Sequence, residues 1–274
     1  MSSCSNNNCS CTDDKCSSET CACSEQQQTN SLNNVKHVIA VMSGKGGVGK
    51  STVTALLASS LQKKGFKVGI LDADITGPSI PMLFGLKTQP QGTELGMLPV
   101  KSAEGIQIMS INLLLPHEDD PVIWRGPIIS GVIKQFWEEV IWGDLDYLLV
   151  DLPPGTGDAP LTVLQSLPLN GVVIVTSPQD LANMVVRKAI NMAQKMDIPI
   201  LGLVENMSFI ECPGCKEKIY PFGEGKAEKT AQELKIPLLG ILPLDPGISQ
   251  KGDQGQIEQF SGNDLKIELL LKQL

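Results

Sequence analysis

Cysteine is missing from residues 24 to 211, the bulk of a 274-residue chain, and the eight cysteines present are crowded into two places. Six fall at Cys4, Cys9, Cys11, Cys16, Cys21 and Cys23, and the other two are Cys212 and Cys215. A disulfide framework would be spread through a small secreted domain. Thiols grouped this way read instead as metal ligands in a reducing compartment. Positive charge is also scarce: 22 Lys and Arg stand against 30 Asp and Glu, for a net charge of −8. That balance argues against a broad nucleic-acid surface and against attraction to anionic lipid. No apolar run approaches the length of a membrane span, and the polar N-terminus lacks the basic-then-apolar order of a secretory signal. The expected location is therefore the cytoplasm, with no nucleic acid and no membrane among the partners. Only two histidines occur, His37 and His117, and both are read as ordinary residues.

Residues 1–34 offer almost nothing to bury, since Leu32 is the one large aliphatic residue after Met1. Such a segment is expected to be disordered without metal. Its loose repeat, C-x4-C-x-C-x4-C-x4-C-x-C, leaves three readings open: a cluster site, a zinc site, or an unligated tail. From Val35 the texture changes. The runs VKHVIAVMS, FKVGILDAD, DYLLVDLPPG, GVVIVTSP and IPILGLVENM are aliphatic, β-branched and of strand length, and each ends in polar, Gly or Pro residues. Strands buried on both faces of a parallel sheet have this pattern. Helical stretches alternate with them at 50–64, 128–141 and 180–196. The expectation is an α/β fold, a doubly wound and mostly parallel sheet in one domain over residues 35–274, with its working loops at the carboxyl ends of the strands. Met184, Met192 and Met196 lie at helical spacing and are read as core. The closing stretch NDLKIELLLKQL has cancelling charges and is read as a last helix packed on the domain rather than a membrane anchor.

The strongest motif is SGKGGVGKST at residues 43–52. It fits G-x-x-x-x-G-K-S/T, directly after a strand and directly before a helix, the setting of a phosphate-binding P-loop. Gly44, Gly46, Gly47 and Gly49 let the loop backbone, Val48 included, turn its N–H groups toward phosphate oxygens, and the helix N-terminus adds its positive dipole end. Lys50 is placed to neutralise the β- and γ-phosphates of ATP, the Ser51 hydroxyl to bind Mg²⁺, and Thr52 to support the phosphates from the first helical turn.

A second lysine inside the loop, Lys45, is similar to the signature residue of the deviant Walker A ATPases, the group that includes MinD, ParA, the nitrogenase iron protein and the Mrp/ApbC carriers. In that group the signature lysine reaches the nucleotide of the partner subunit, so the resemblance implies a homodimer with two nucleotides at its interface. It also implies roles for residues at other strand ends. Asp74 in LDADITGPSIP matches the carboxylate that positions the attacking water, while Asp72 either serves the magnesium shell or closes its strand. Asp151 in LLVDLPPGTGD matches the carboxylate that holds Mg²⁺ through water, with Gly155 and Gly157 in a loop that senses the γ-phosphate. Asn206 in VENMS matches the residue that hydrogen-bonds the adenine edge.

Cys212 and Cys215 sit in ECPGC, only six residues beyond Asn206. Two thiolates make half of a four-ligand zinc or iron–sulfur site. The set GKGGVGKS, DADITGPSIP, DLPPGTGD and ENMSFIECPGC closely resembles the Mrp/ApbC family of iron–sulfur cluster carriers, over essentially all of residues 35–274. That resemblance implies a labile 4Fe–4S cluster bridged between two subunits, each supplying Cys212 and Cys215, with ATP binding and hydrolysis gating its transfer to apoproteins or from assembly scaffolds. Similar residues to Trp124 and Arg125 occur in these relatives, without an assigned mechanism. The N-terminal spacing departs from the ferredoxin-like motif that some relatives carry, so no ligand roles are carried onto Cys4–Cys23. Three rivals stand beside this reading. One is a positioning ATPase of the MinD/ParA type with a structural zinc-bound Cys pair. A second, an electron donor like the nitrogenase iron protein, would need cysteines in the middle of the domain, where this chain has none. The third is a zinc-stapled dimer in which the Cys pair is purely structural, since zinc and iron–sulfur ligation use the same thiolates.

Overall fold

The computed structural model describes residues 29–75, 77–115, 126–262 and 264–274. The six N-terminal cysteines, His117, Trp124 and Arg125 lie outside the described residues. The strands are β1 (Asn34–Ser43), β2 (Val68–Asp72), β3 (Gln91–Thr93), β4 (Gly96–Leu98), β5 (Val100–Lys101), β6 (Gln107–Ser110), β7 (Asp144–Asp151), β8 (Gly171–Thr176), β9 (Ile200–Glu205), β10 (Ile210–Glu211), β11 (Lys218–Ile219) and β12 (Leu238–Ile241). The helices are α1 (Lys50–Lys63), α2 (Ile80–Leu83), α3 (Gly126–Glu138), α4 (Asp158–Ser166), α5 (Asp180–Lys195), α6 (Ala227–Leu234), α7 (Pro246–Asp253) and α8 (Ile267–Leu271).

Among the described residues the main sheet has eight strands in the order β12-β9-β8-β1-β7-β2-β6-β5. All pair in parallel except the edge strand β5, which runs against β6. The doubly wound α/β arrangement expected from the alternating runs is therefore present. Strand residues divide by parity, because successive side chains leave opposite faces of a sheet. On β1, Val38, Ala40 and Met42 join the layer built by α3, α4, α5 and α6, which includes Trp137 and Ile190. Ile39 and Val41 face the other layer, where Leu56 and Leu57 of α1 meet Ile267 and Leu270 of α8. The closing helix is thus packed on the domain, as its sequence suggested, and no helix among the described residues is long and apolar enough to cross a membrane.

Two expectations need correction. The helix read over 128–141 stops at Glu138, because Val140 leaves it to bridge Met97 beside β4, and the Trp142 and Gly143 N–H groups donate to Asn33 Oδ1. Met184 is not core: it is 56% exposed on α5, whereas Met192 and Met196 pack partly buried against the sheet. The chain also engages the domain before Asn34, since Asn30 Nδ2 donates to Leu95 O at 2.9 Å and Asn33 Nδ2 to Val140 O at 2.8 Å.

Candidate functional site: a phosphate loop beside a cysteine hairpin

β1 lies between β7 and β8, so the loop that follows it opens at the centre of the sheet's carboxyl edge. Gly49 ends that loop with φ 77°, a left-handed turn that only glycine adopts cheaply. A Cβ there would also lie 2.3 Å from Asn206 Nδ2. The loop walls a cavity of about 220 Å³ whose lining includes Ser43, Gly47, Lys50, Ser51, Asp74 and Pro154. Several of the residues singled out in sequence therefore converge on one space.

Asp151 lies behind the cavity wall and ties two of its lining residues, Lys50 and Ser51, together. Fully buried at the end of β7, it lies 2.7 Å from Lys50 Nζ through Oδ2, accepts from Ser51 Oγ at 2.5 Å, and accepts from Thr54 Oγ1 at 2.7 Å. Asp74 Oδ2 stands 3.8 Å from the same ammonium. Thr54 was not singled out in the sequence. A threonine inside a helix carries no motif signal, and its role emerges only from the parallel register that sets β7 beside β1.

Asp72 closes its strand rather than facing the cavity. Its Oδ1 accepts from the Asp74 N–H at 3.2 Å, and its Oδ2 accepts from Ser110 Oγ at 3.1 Å and from the Ile80 N–H at 3.4 Å. Complete burial, reinforced by the charges of Asp151 and Asp74 and opposed by Lys50, pushes its carboxyl up to about 8. Its hydrogen bonds span from the end of β2 to α2, the segment that carries Asp74.

Lys45 points away from this cluster. Its ammonium donates to Gln179 Oε1, at the N-cap of α5. Asn206 faces the loop from behind and donates from Nδ2 to Val48 O at 3.0 Å.

Beyond Asn206 the chain turns through Met207, at φ 59°, and enters the short antiparallel hairpin β10–β11. Cys212 and Cys215 occupy its tip. The Cys212 N–H donates to Glu217 O and the Lys216 N–H donates back to Cys212 O, both at 2.9 Å, so the turn between the thiols is closed by backbone. Backbone N–H groups of Cys215 and Gly214 directed at the Cys212 sulfur, helped by the Cys215 thiol and the Lys216 charge, lower the Cys212 thiol from its usual range. Both cysteines are free. Among the described residues no group of three or more His, Cys, Asp or Glu is gathered to hold a metal ion, so within one chain the pair offers two ligands. Ile219, Tyr220 and Phe222 are exposed beside it.

A family model described as ParA: NUBPL iron-transfer P-loop NTPase matches residues 34–273. The chain belongs to this family. A curated relative from Clostridium perfringens, named iron-sulfur cluster carrier protein, is 46% identical over 249 residues, covering 88% of this chain and 87% of its own length. One of the same name from Methanocaldococcus jannaschii is 50% identical over 227 residues, covering 82% and 78%. Among solved structures, a nucleotide-binding protein from Archaeoglobus fulgidus in complex with ADP is 50% identical, with a TM-score of 0.77 over 84% of this chain and 90% of that one. The MinD cell division protein of Aquifex aeolicus, at 22% identity and a TM-score of 0.60 over 86% and 96%, shares the fold. Lys50, Ser51 and Asp151 are thus gathered at the loop that a P-loop NTPase carries after its first strand, and the Cys hairpin follows Asn206 on the neighbouring connection. Gln179 joins Thr54 as a residue missed in sequence, because a glutamine before a helix signals nothing unless its lysine partner is known.

Proposed function

We propose that this chain is an iron–sulfur cluster carrier in which two copies bridge one labile 4Fe–4S cluster, each through Cys212 and Cys215, and in which ATP binding and hydrolysis gate cluster loading and handover. The observation that carries the reading is the shared connection: one strand end presents Asn206 to the phosphate loop and, six residues on, Cys212 with its free thiol at the tip of a hairpin. The iron-transfer description of the family and the names of the relatives support it.

In this reading the glycine loop and Lys50 bind the β- and γ-phosphates, Thr52 braces them, and Asn206 takes the adenine edge. The oxygen donors Ser51 and Asp151 suit Mg²⁺ and are the residues that would hold it. The metal would supply neutralisation of phosphate charge. Asp74, at the cavity wall, orients the attacking water. Lys45 leaves Gln179 to reach the partner's nucleotide as two copies close, so nucleotide state and the shared cluster are settled at one interface. A cluster held by only two thiolates from each chain is released when that interface moves, and this supplies the differential contact that coupling requires. Recipients would be iron–sulfur apoproteins, with assembly scaffolds as donors. The carrier domain is proposed to be residues 35–274 together with the preceding residues from Asn30 that bond onto it, and the cytoplasm is its proposed location.

Anaerobic reconstitution tests the proposal. Wild-type protein should turn brown and dimerise with ATP. Cys212→Ala should lose iron and acid-labile sulfide while still binding ATP. A colourless, zinc-loaded wild type, or full iron content after both cysteines are replaced, would overturn it.

A further inference from the structure

One buried carboxylate belongs to neither the phosphate chemistry nor the thiol pair, yet it stands between them. Glu205 is the last residue of β9 and is 3% exposed. Its Oε1 accepts from Ser208 Oγ, and its Oε2 accepts from the Ala227 N–H at 3.1 Å. Ser208 and Ala227 are the two feet of the excursion that carries Cys212 and Cys215. A single side chain therefore closes the base of that excursion. The returning foot passes so near that a Cβ on Gly225 would lie 1.9 Å from Glu205 Oε1, which explains why no side chain stands there. The carboxylate also caps α6, whose own N-cap residue, Lys226, makes no side-chain capping bond, and a negative group at a helix N-terminus is favourable.

The next residue grips the other site. Asn206 holds Val48 O of the phosphate loop, its N–H donates to Thr176 O at 2.8 Å, and the strained backbone of Met207 follows at once. The Ser208 N–H then returns to Leu242 O at 2.9 Å, while the Leu242 N–H donates to Glu205 O at 2.8 Å. Phosphate loop, Asn206, Glu205, and both feet of the cysteine excursion thus form one unbroken chain of bonds. Slack is not available within it, because releasing either bond to Glu205 strands a buried charged acceptor.

We propose that Glu205 is the positioning residue that transmits nucleotide state to the cysteine turn. A shift of the loop against Asn206 displaces the end of β9, and Glu205 carries Ser208 and Ala227 with it as a pair, reorienting the turn between them. The inference rests on Cys212 and Cys215 being the cargo ligands. It also explains why a glutamate is placed where a sheet strand would otherwise end in an apolar residue or a cap.

The test uses full-length, reduced protein with and without Mg·ADP. The rate of iodoacetamide alkylation at Cys212 and Cys215 is resolved by peptide mass spectrometry. In the wild type, nucleotide should change that rate by roughly fivefold or more, the low end of ordinary coupling between sites. In Glu205→Gln and in Ser208→Ala the ratio should fall below about twofold while ADP still saturates the protein. A merely structural role would raise the rate in both nucleotide states and leave the ratio intact. A wild-type ratio near one, or variants that keep the wild-type ratio, overturns the proposal. Should Glu205→Gln fail to fold, Ser208→Ala and Gly225→Ala carry the decision. Because alkylation needs no cluster, its failure is separate from failure of the carrier reading, which iron and sulfide content of the same variants reports.

Discussion

Lys50 and Asp151 meet at 2.7 Å, the carboxylate fully buried and the lysine side chain 6% exposed at the wall of the cavity. Removing one partner of such a pair leaves a buried charge uncompensated, at a cost of about 3–5 kcal/mol. Lys50→Ala should therefore lower the urea midpoint of nucleotide-stripped protein as well as abolish ATP binding. Adding Asp151→Asn should recover much of the stability and none of the binding. Equal midpoints for Lys50→Ala and wild type would contradict the role given to the pair.

Lys45 makes the opposite case. Its contact with Gln179 is exposed, so Lys45→Ala should shift stability by no more than about 0.5 kcal/mol. Its expected defect is confined to assembly: light scattering should find the variant monomeric with ATP under conditions where the wild type dimerises. Gln179→Ala, which frees the lysine, should dimerise at lower ATP concentration.

At Gly49 two demands coincide, a φ of 77° and the nearness of Asn206 Nδ2. Gly49→Ala should weaken nucleotide binding by roughly tenfold or more, about 1.4 kcal/mol, in a calorimetric titration. Asn206→Ala in the same background should return none of it, since the backbone strain persists and the adenine contact proposed for Asn206 is lost as well. Full recovery would assign the whole effect to the clash.

The donors around Cys212 favour its thiolate, the Cys215 and Gly214 N–H groups most of all. The pH profile of Cys212 alkylation should consequently have its midpoint below that of the same cysteine in the urea-unfolded chain. Lys216→Ala should move it slightly upward. A midpoint at or above the unfolded-chain value would remove the electrostatic argument for a ready ligand.

Glu258 links fold and pH far from the phosphates. Burial lifts its carboxyl above the usual range, against the bonds it accepts from Ser102 Oγ and the Glu104 N–H. The native state then holds this proton more tightly than the unfolded chain does. Its contribution to stability is greatest below the ordinary glutamate value and is lost as pH rises through the raised one. Urea midpoints measured across that window should decline less steeply in Glu258→Gln than in the wild type.

Much of the site was legible because its parts are contiguous or end a strand. Residues 43–52 announce a phosphate loop within ten positions, and Asp74, Asp151 and Asn206 follow aliphatic runs long enough to be recognised as strands. What escaped notice depends on distant partners. Glu205 looks like an ordinary exposed charge until Ala227, 22 residues later, is folded back on it. Thr54 acquires a role only through the neighbour relation of β1 and β7. The short strands β5, β6 and β12 carry too few residues for a periodic signal, and β12 is fixed by its pairing with β9. Val140–Trp142 continue a helical pattern in sequence, yet the bridge to Met97 and the Asn33 side chain draw them out of α3.

The placement of β1 has a further consequence for amide exchange. Its inner residues are shielded by strands on both sides and helices on both faces, so the root of the phosphate loop should open only when the whole molecule does. The hairpin that bears the thiols has two paired rungs and a solvent-facing tip, the kind of segment that opens by itself at small expense. One end of the machine is thereby kept rigid while the other is left loose enough to let go.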